Sequence, residues 1–366
     1  MFDFIPKNVG QRRNFSLPMT YTIIFILLSF LSACAGSSQS TMPLWVSNIE
    51  RAYPDSEWLR VVELGIDTPT AESGAIARLG QIFRVDIESV SSINQQILEQ
   101  FTNTATDFID RTEYHNWVRT SSNIEGIVGM YVETWTYPRN GKVYAIARIN
   151  RSEGTIRYSE MISQNEHIIA NLLTNAELNP QTFEAIQMLQ IAHNLATLTD
   201  SYVSMQGVLS PSKQSFDVVS KDEPRRLSYD SSETVRAILN EARRNIIITV
   251  KVIGDENDRI ARAFSESLNT MGYRTATSGE NSYLLYASFT LQSVESNHPR
   301  FVFVRYILDY SLQNESGVEI FSFSENGQEG HLTMSEAIQV AIQIVEESIS
   351  STGFRDKFYE FLHNIR

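Results

Sequence analysis

The most apolar stretch of the chain runs from Thr20 to Ala33 and stops abruptly at the small polar residues that follow Cys34. Beyond position 42, apolar positions fall into strand-like and helix-like spacings by turns. Residues 58–66 are apolar enough for a buried strand, and Ala71, Ala75, Ile76, Leu79 and Phe83 then recur at helical spacing. Gly74 and Gly80 lie inside that helix, and each weakens it by about 1 kcal/mol relative to alanine. The segment VDIESVSSINQQILEQFTN reads as mostly alternating and β-branched at its start, and a polar stretch to Ser122 fits neither period. Residues 127–137 and 142–150 are aromatic and β-branched and flank PRNG. Asn-Gly tolerates the positive φ of tight turns, so this pair predicts a hairpin.

From about Arg157 to Val208 the period becomes helical. Met161, Ile162, Ile168, Ile169, Leu172 and Leu173 form one stripe. Met188, Ile191, Leu195, Leu198, Tyr202 and Met205 form a heptad seam on a second helix, expected to start at Asn179-Pro180. Residues 209–230 are polar, charged and punctuated by proline, which reads as a linker. A helix over 231–243, with Asp230 and Glu233 as its cap, opens the C-terminal part. A strand at 245–254 and a helix ended by Gly272 come next. Strands at 283–293, 301–312 and 318–324 follow, and Thr333-Met334-Ser335-Glu336 is a capping box for a helix with Ala337, Val340, Ala341, Ile344 and Val345 on one face. FRDKFYEFLHNI is a last short helix. This order predicts an α+β fold: two α/β sandwich-like modules with mostly antiparallel sheets, joined by an antiparallel helical hairpin and a linker.

Composition changes the picture at one residue. The 366-residue chain has a single cysteine, Cys34, directly after the apolar run. Fourteen residues are too few for a spanning helix, which needs about 20. Lys7, Arg12 and Arg13 before the run complete the basic, apolar and small-residue parts of a secretory signal. Leu31-Ser32-Ala33-Cys34 resembles the bacterial lipobox. That resemblance implies cleavage between Ala33 and Cys34, a diacylglyceryl group on the thiol, and an acyl chain such as palmitate on the new amino group. Two or more chains give stable anchoring where one is marginal. RRNFSL resembles a twin-arginine export signal in part, and paired arginines in such a leader also serve simply as charge.

The leader's three cations and Asp3 make it +2, so the chain's net −13 becomes −15 once it is gone. An acidic exterior is a poor partner for nucleic acid, so none is expected, and it is repelled by anionic lipid, leaving the acylated Cys34 as the contact with the bilayer. The expected organisation is a signal peptide at 1–33, a lipidated tether at 34–42, an α/β domain at 43–152, a helical hairpin at 155–208, the linker at 209–230 and an α+β domain at 231–366.

The stretch from Pro43-Leu44-Trp45-Val46 through VVELGID, AESGAIARLGQIF, VDIES and VETWTYPRNGKVYAIARINR resembles the LPP-twenty family of bacterial membrane-associated lipoproteins. It departs from the family pattern at Glu63-Leu64, before Gly65, and at Gly74 and Gly80. The resemblance implies an envelope location and no established catalytic residues, and related domains occur in a flagellar assembly protein of the periplasm. The C-terminal element order is similar to accessory domains of curli-secretion channels and of lipoprotein activators of penicillin-binding proteins.

Candidate chemistry is sparse. The histidines at 115, 167, 193, 298, 331 and 363 include no His-Glu-x-x-His helix and no close ligand pair, so no metal and no cofactor are expected. Glu166-His167 reads as a solvated helix face. Gly126-Ile127-Val128-Gly129 lacks the order of a dinucleotide loop. Asp255-Glu256-Asn257-Asp258 lacks the downstream residues of a calcium loop and reads as helix capping, because Arg259 and Ile260 stand where a ligand and a glycine are needed. No catalytic residue is assigned. Aromatics such as Trp117, Trp135, Tyr144, Phe301 and Phe303 supply core and, where they face out, partner surface. The expected function is a lipid-anchored, non-enzymatic scaffold or accessory factor of the cell envelope, outer membrane preferred, binding other envelope proteins. The alternatives are an envelope enzyme such as a peptidoglycan hydrolase, and a homo-oligomeric secretion-channel-like subunit.

Overall fold

The computed structural model describes residues 42–83, 87–104, 117, 127–210, 232–277, 283–295 and 300–364. Leu31, Ser32, Ala33 and Cys34, the tether to position 41, His115, Gly126, Asp230 and His298 lie outside the described residues, as does nearly all of the 209–230 linker. The described residues fall into two units, one ending at Ala52 and one beginning at Tyr53. The first contains two short helices, α1 (Leu44–Ser47) and α2 (Ile49–Ala52).

The second unit opens with a three-stranded antiparallel sheet of β1 (Trp58–Gly65), β2 (Tyr131–Thr136) and β3 (Val143–Asn150), in the order β1-β3-β2. The expected hairpin is present, with Trp135 opposite Tyr144. Tyr137 N–H donates to the Lys142 carbonyl and Gly141 N–H to the Tyr137 carbonyl. Only Gly141 is left-handed, so the connection is a longer loop and not a two-residue turn. Helix α3 (Thr68–Phe83) lies on this sheet through Ala71, Ala75, Leu79 and Phe83, which are almost fully buried. Gly65 permits the tight entry into α3: a Cβ there would sit 2.5 Å from the Ala71 nitrogen.

The alternating reading after residue 85 gives way to a helix, α4 (Ile87–Thr104). Its buried residues are Val90, Asn94, Ile97, Gln100 and Phe101, spaced by three, four or one, so the longer period wins over local β-branching. Strand β3 passes directly into α5 (Arg151–Leu178), where Asn150 accepts a hydrogen bond from Glu153 N–H. The partner helix α6 (Phe183–Leu209) starts after Thr182, whose hydroxyl accepts from Ala185 N–H, a few residues beyond the expected Asn179-Pro180 start. Asn179 instead ends α5. Inside this hairpin, Trp117 Nε1–H donates to Asn165 Oδ1 (2.9 Å), and Asn165 Nδ2 donates to Thr199 Oγ1 (3.1 Å).

Next come α7 (Ser232–Asn245), β4 (Ile247–Ile253), α8 (Arg259–Thr270), β5 (Arg274–Ala276), β6 (Tyr283–Val294), β7 (Val302–Gln313), β8 (Glu319–His331), α9 (Met334–Ser350) and α10 (Thr352–Asn364). The fold is α+β, with ten helices among the described residues. The second sheet, ordered β5-β4-β6-β7-β8, is mixed: β6, β7 and β8 form an antiparallel meander, while β4 runs parallel to β5 and β6. A parallel pair needs a crossover, and α8 supplies it. Strand β8 extends to His331, seven residues past the expected end. Gly327 and Gly330 stand opposite Tyr306 and Phe303, whose rings lie across the glycine backbone where a Cβ would go. Thr333 caps α9 as expected, accepting from Glu336 N–H. Helix α6 is buried on several sides. Its Phe183 ring meets Tyr273, Tyr283, Phe358 and Phe361 at centroid distances of 4.4–5.8 Å, which makes the apolar core continuous from the hairpin into the second sheet and α10.

Candidate functional site

Four helices converge on a cleft of about 600 Å³, within the roughly 300–1,000 Å³ range of small-molecule sites. Each helix contributes one stripe at helical spacing: Gln96, Glu99 and Gln100 from α4; Ile186, Gln187, Gln190, His193 and Asn194 from α6; Arg236, Leu239, Asn240 and Arg243 from α7; Tyr359 and Leu362 from α10. The α6 stripe lies beside its heptad seam, so one helix packs a core with one face and lines the cleft with another. Gln100, Gln187, Leu239 and Leu362 are buried at the base, whereas Gln96, Glu99, Arg236 and Asn240 are exposed at the rim.

Three of these helices are tied by an ordered run of hydrogen bonds. Arg243 Nη2–H donates to Gln190 Oε1 (2.9 Å), Gln190 Nε2–H to Asn194 Oδ1 (3.3 Å), and Asn194 Nδ2–H to Gln100 Oε1 (3.0 Å). A guanidinium can only donate, so it sets the orientation of Gln190, and each amide sets the next. Aligned bonds of this kind polarise one another.

His193 Nδ1 lies 3.2 Å from the Ser232 carbonyl oxygen. A carbonyl only accepts, so Nδ1 carries the hydrogen and Nε2 is the acceptor of the neutral ring. Burial pushes this imidazole below its usual pKa; the nearby Arg236 and Arg243 push the same way, against the Ser232 bond and Glu233. With His193 neutral, the formal charges lining the cleft are Arg236, Arg243 and Glu99, a local excess of one positive charge on a chain of net −13. Arg236 also pairs with Glu233 one turn earlier on α7. The lining contains no serine, threonine or cysteine. The arrangement offers fixed donors and acceptors, which suits holding a polar ligand.

The other residues singled out in the sequence are dispersed. Glu166 and His167 are exposed on α5, as a solvated helix face; partial desolvation raises the Glu166 carboxyl above its usual range, and His167 Nδ1 is 3.5 Å from Asn171 Nδ2. Asp255 caps α8, its two oxygens accepting from Arg259 N–H (3.1 Å) and Ala261 N–H (2.9 Å). Asp258, in the left-handed region, makes no side-chain cap bond. His331 Nδ1 meets Glu336 Oε2 (2.8 Å) near the surface. Gly129 (φ +74°) sits in the turn before β2. Trp117 and Trp135 are buried, Tyr144 and Phe303 are partly buried, and Phe301 is exposed. Among the described residues, no group of three His, Cys, Asp or Glu side chains is placed to hold a metal, and no helix is long and apolar enough to cross a membrane.

Among the described residues, His193 is the histidine that lines the cleft. Sequence reasoning passed over the carboxamides beside it. Their trace was present as Gln187, Gln190 and Asn194, carboxamides at helical spacing beside the apolar seam of α6.

The chain matches no family model and no curated protein. Among solved structures it is similar in part to a minor lipoprotein from Acinetobacter baumannii (12% identity, TM-score 0.25, 31% of this chain and 91% of that one). It is similar also to rare lipoprotein B from Shewanella oneidensis (13% identity, TM-score 0.22, 30% and 89%). A secreted protein from Helicobacter pylori is matched over more of the chain (11% identity, TM-score 0.39, 80% and 97%). With TM-scores this low, these likenesses assign neither a family nor a function.

Proposed function

We propose that this protein is a lipid-anchored, non-enzymatic accessory factor of the bacterial cell envelope, whose folded body binds other envelope components. The observation that carries the reading is Leu31-Ser32-Ala33-Cys34 at the end of the apolar run, followed by a small polar tether. Acyl chains on Cys34 would hold an acidic body at a bilayer that its surface charge does not attract. Ala35 after the lipidated position, in place of an aspartate, favours the outer membrane. The LPP-twenty resemblance is part of the same proposal: VVELGID and AESGAIARLGQIF fall on β1 and α3, and VETWTYPRNGKVYAIARINR on the β2–β3 hairpin. The carboxamide lining of the cleft favours binding over bond cleavage.

Mass spectrometry of the mature N-terminus tests the anchor. The expected result is a chain beginning at acylated Cys34 that partitions into detergent, with Cys34→Ser moving it to the aqueous phase. A chain beginning elsewhere, or an unmodified thiol, refutes the anchor. Cross-linked affinity capture tests the accessory role, and repeated recovery of the protein alone refutes it.

A further inference from the structure

We propose that the cleft between α4, α6, α7 and α10 binds an amino-sugar glycan of about disaccharide size that carries a carboxylate, the chemistry of the cell-wall glycan strand. The binding chemistry is argued from the cleft itself; only the choice of the cell wall as source rests on the envelope reading above.

A sugar hydroxyl both donates and accepts, and its partner must do the same in a fixed plane. Carboxamides do so, presenting a carbonyl oxygen and an NH₂ about one bond angle apart. Here Gln190 and Asn194 are held in one orientation by the bonds running from Arg243 to Gln100, so they are organised before any ligand arrives. Tyr359 adds an aromatic ring with a polar tip, a surface for the C–H face of a sugar ring. Arg243 deeper in the cleft, and Arg236 at the rim beside its partner Glu233, supply guanidinium N–H donors, and a guanidinium matches a carboxylate with paired N–H donors.

Other ligand classes fit less well. An acyl chain needs continuous apolar walls, and nine of the fourteen lining residues are amides or charged. A metal needs clustered carboxylates or imidazoles, which the described residues do not form. A helix N-terminal phosphate site needs convergent backbone N–H groups, which these mid-helix side chains do not provide; the two arginines also suit a phosphate, so inorganic phosphate is one of the probes.

The test is calorimetric titration of the full chain in detergent micelles with three probes: N-acetylglucosaminyl-N-acetylmuramic acid, the neutral disaccharide chitobiose, and inorganic phosphate. The expected result is saturable binding of both sugars, with the carboxylate-bearing one about tenfold tighter, the scale of one charge-assisted hydrogen bond. Arg243→Gln is expected to erase that preference. Should this variant fail to fold, Arg236→Gln, on the exposed rim, is expected to reduce the preference at least threefold with the circular dichroism unchanged. Absence of sugar binding, equal affinity for the two sugars, phosphate binding as tightly as the acidic sugar, or binding unaltered in a folded variant each overturns the assignment. A protein found acylated at Cys34 that ignores all three probes fails this inference alone. One that binds the acidic sugar without carrying lipid fails the anchor and leaves the cleft assignment standing.

Discussion

The buried polar chain Trp117–Asn165–Thr199 permits a sharp test of how the helical hairpin is held together. Asn165 is 2% exposed, accepts from Trp117 Nε1–H at 2.9 Å and donates to Thr199 at 3.1 Å. Asn165→Leu keeps side-chain size but removes both polar groups. Thr199 retains its bond to the Leu195 carbonyl (2.8 Å), so its hydroxyl hydrogen stays satisfied. The indole N–H loses its acceptor inside the core, which costs about 1–3 kcal/mol. Gained apolar burial offsets part of the lost Asn165–Thr199 bond, and a net cost of about 2 kcal/mol follows. The double-mutant cycle isolates the decisive step. Trp117→Phe costs stability through lost volume and its ring contact with Phe101, but it also deletes the stranded donor. Asn165→Leu is therefore expected to cost about 1–2 kcal/mol less in the Trp117→Phe background than in the native chain. Urea unfolding of all four proteins, followed by circular dichroism, measures this from the midpoints at common slope. Equal costs in the two backgrounds would refute the argument that the indole bond ties the hairpin.

Two glycine substitutions in the same unit are expected to act with opposite sign. Gly65→Ala places a Cβ against the Ala71 backbone and is expected to cost about 1–3 kcal/mol. Gly74→Ala meets nothing closer than Glu63 at 3.7 Å and is expected to stabilise α3 by up to about 1 kcal/mol; both are read as shifts in the urea midpoint. Gly327→Val displaces the Tyr306 ring, and hydrogen exchange is expected to show the β8 amides near 326–331 losing protection while those of β6 keep theirs. His193 titrates at 6.5 when unfolded and lower when folded, so the unfolded state binds more protons between those values. Its contribution to stability therefore falls as pH drops through that window, and His193→Gln is expected to flatten the midpoint-versus-pH curve there. Glu166 has the opposite sign: burial raises its carboxyl above 4.5, so its contribution grows as pH falls through the raised pKa, and Glu166→Gln is expected to stabilise the protein at pH 7.

Some parts of this chain could be read one residue at a time. The hairpin around PRNG, the Thr333 cap and the apolar seam of α6 rest on spacing and on side chains bonding their own backbone, and they stand in the fold where their residues put them. The α+β class followed from the sequence of periods. Local information was insufficient elsewhere. The β-branched start of α4 favours a strand in isolation, yet Val90, Ile97 and Phe101 find buried places only along a helix, and those places are provided by other elements. ENGQEGH gives no hint of a strand, because what holds it extended is pairing with the distant β7, whose Tyr306 and Phe303 rings lie over its glycines. The direction of β4 depends on which strands it joins after α8 crosses over.

The cleft belongs wholly to this second group. Its lining residues come from segments as far apart as Gln96 and Leu362. Spacing along the chain determined which face of each helix is apolar, since a helix repeats every 3.6 residues whatever surrounds it. Only packing decided that the polar stripes of α4, α6 and α7 would meet each other and the Tyr359–Leu362 edge of α10. That choice is made by contacts between distant residues, and these carry no signature in the order of neighbours.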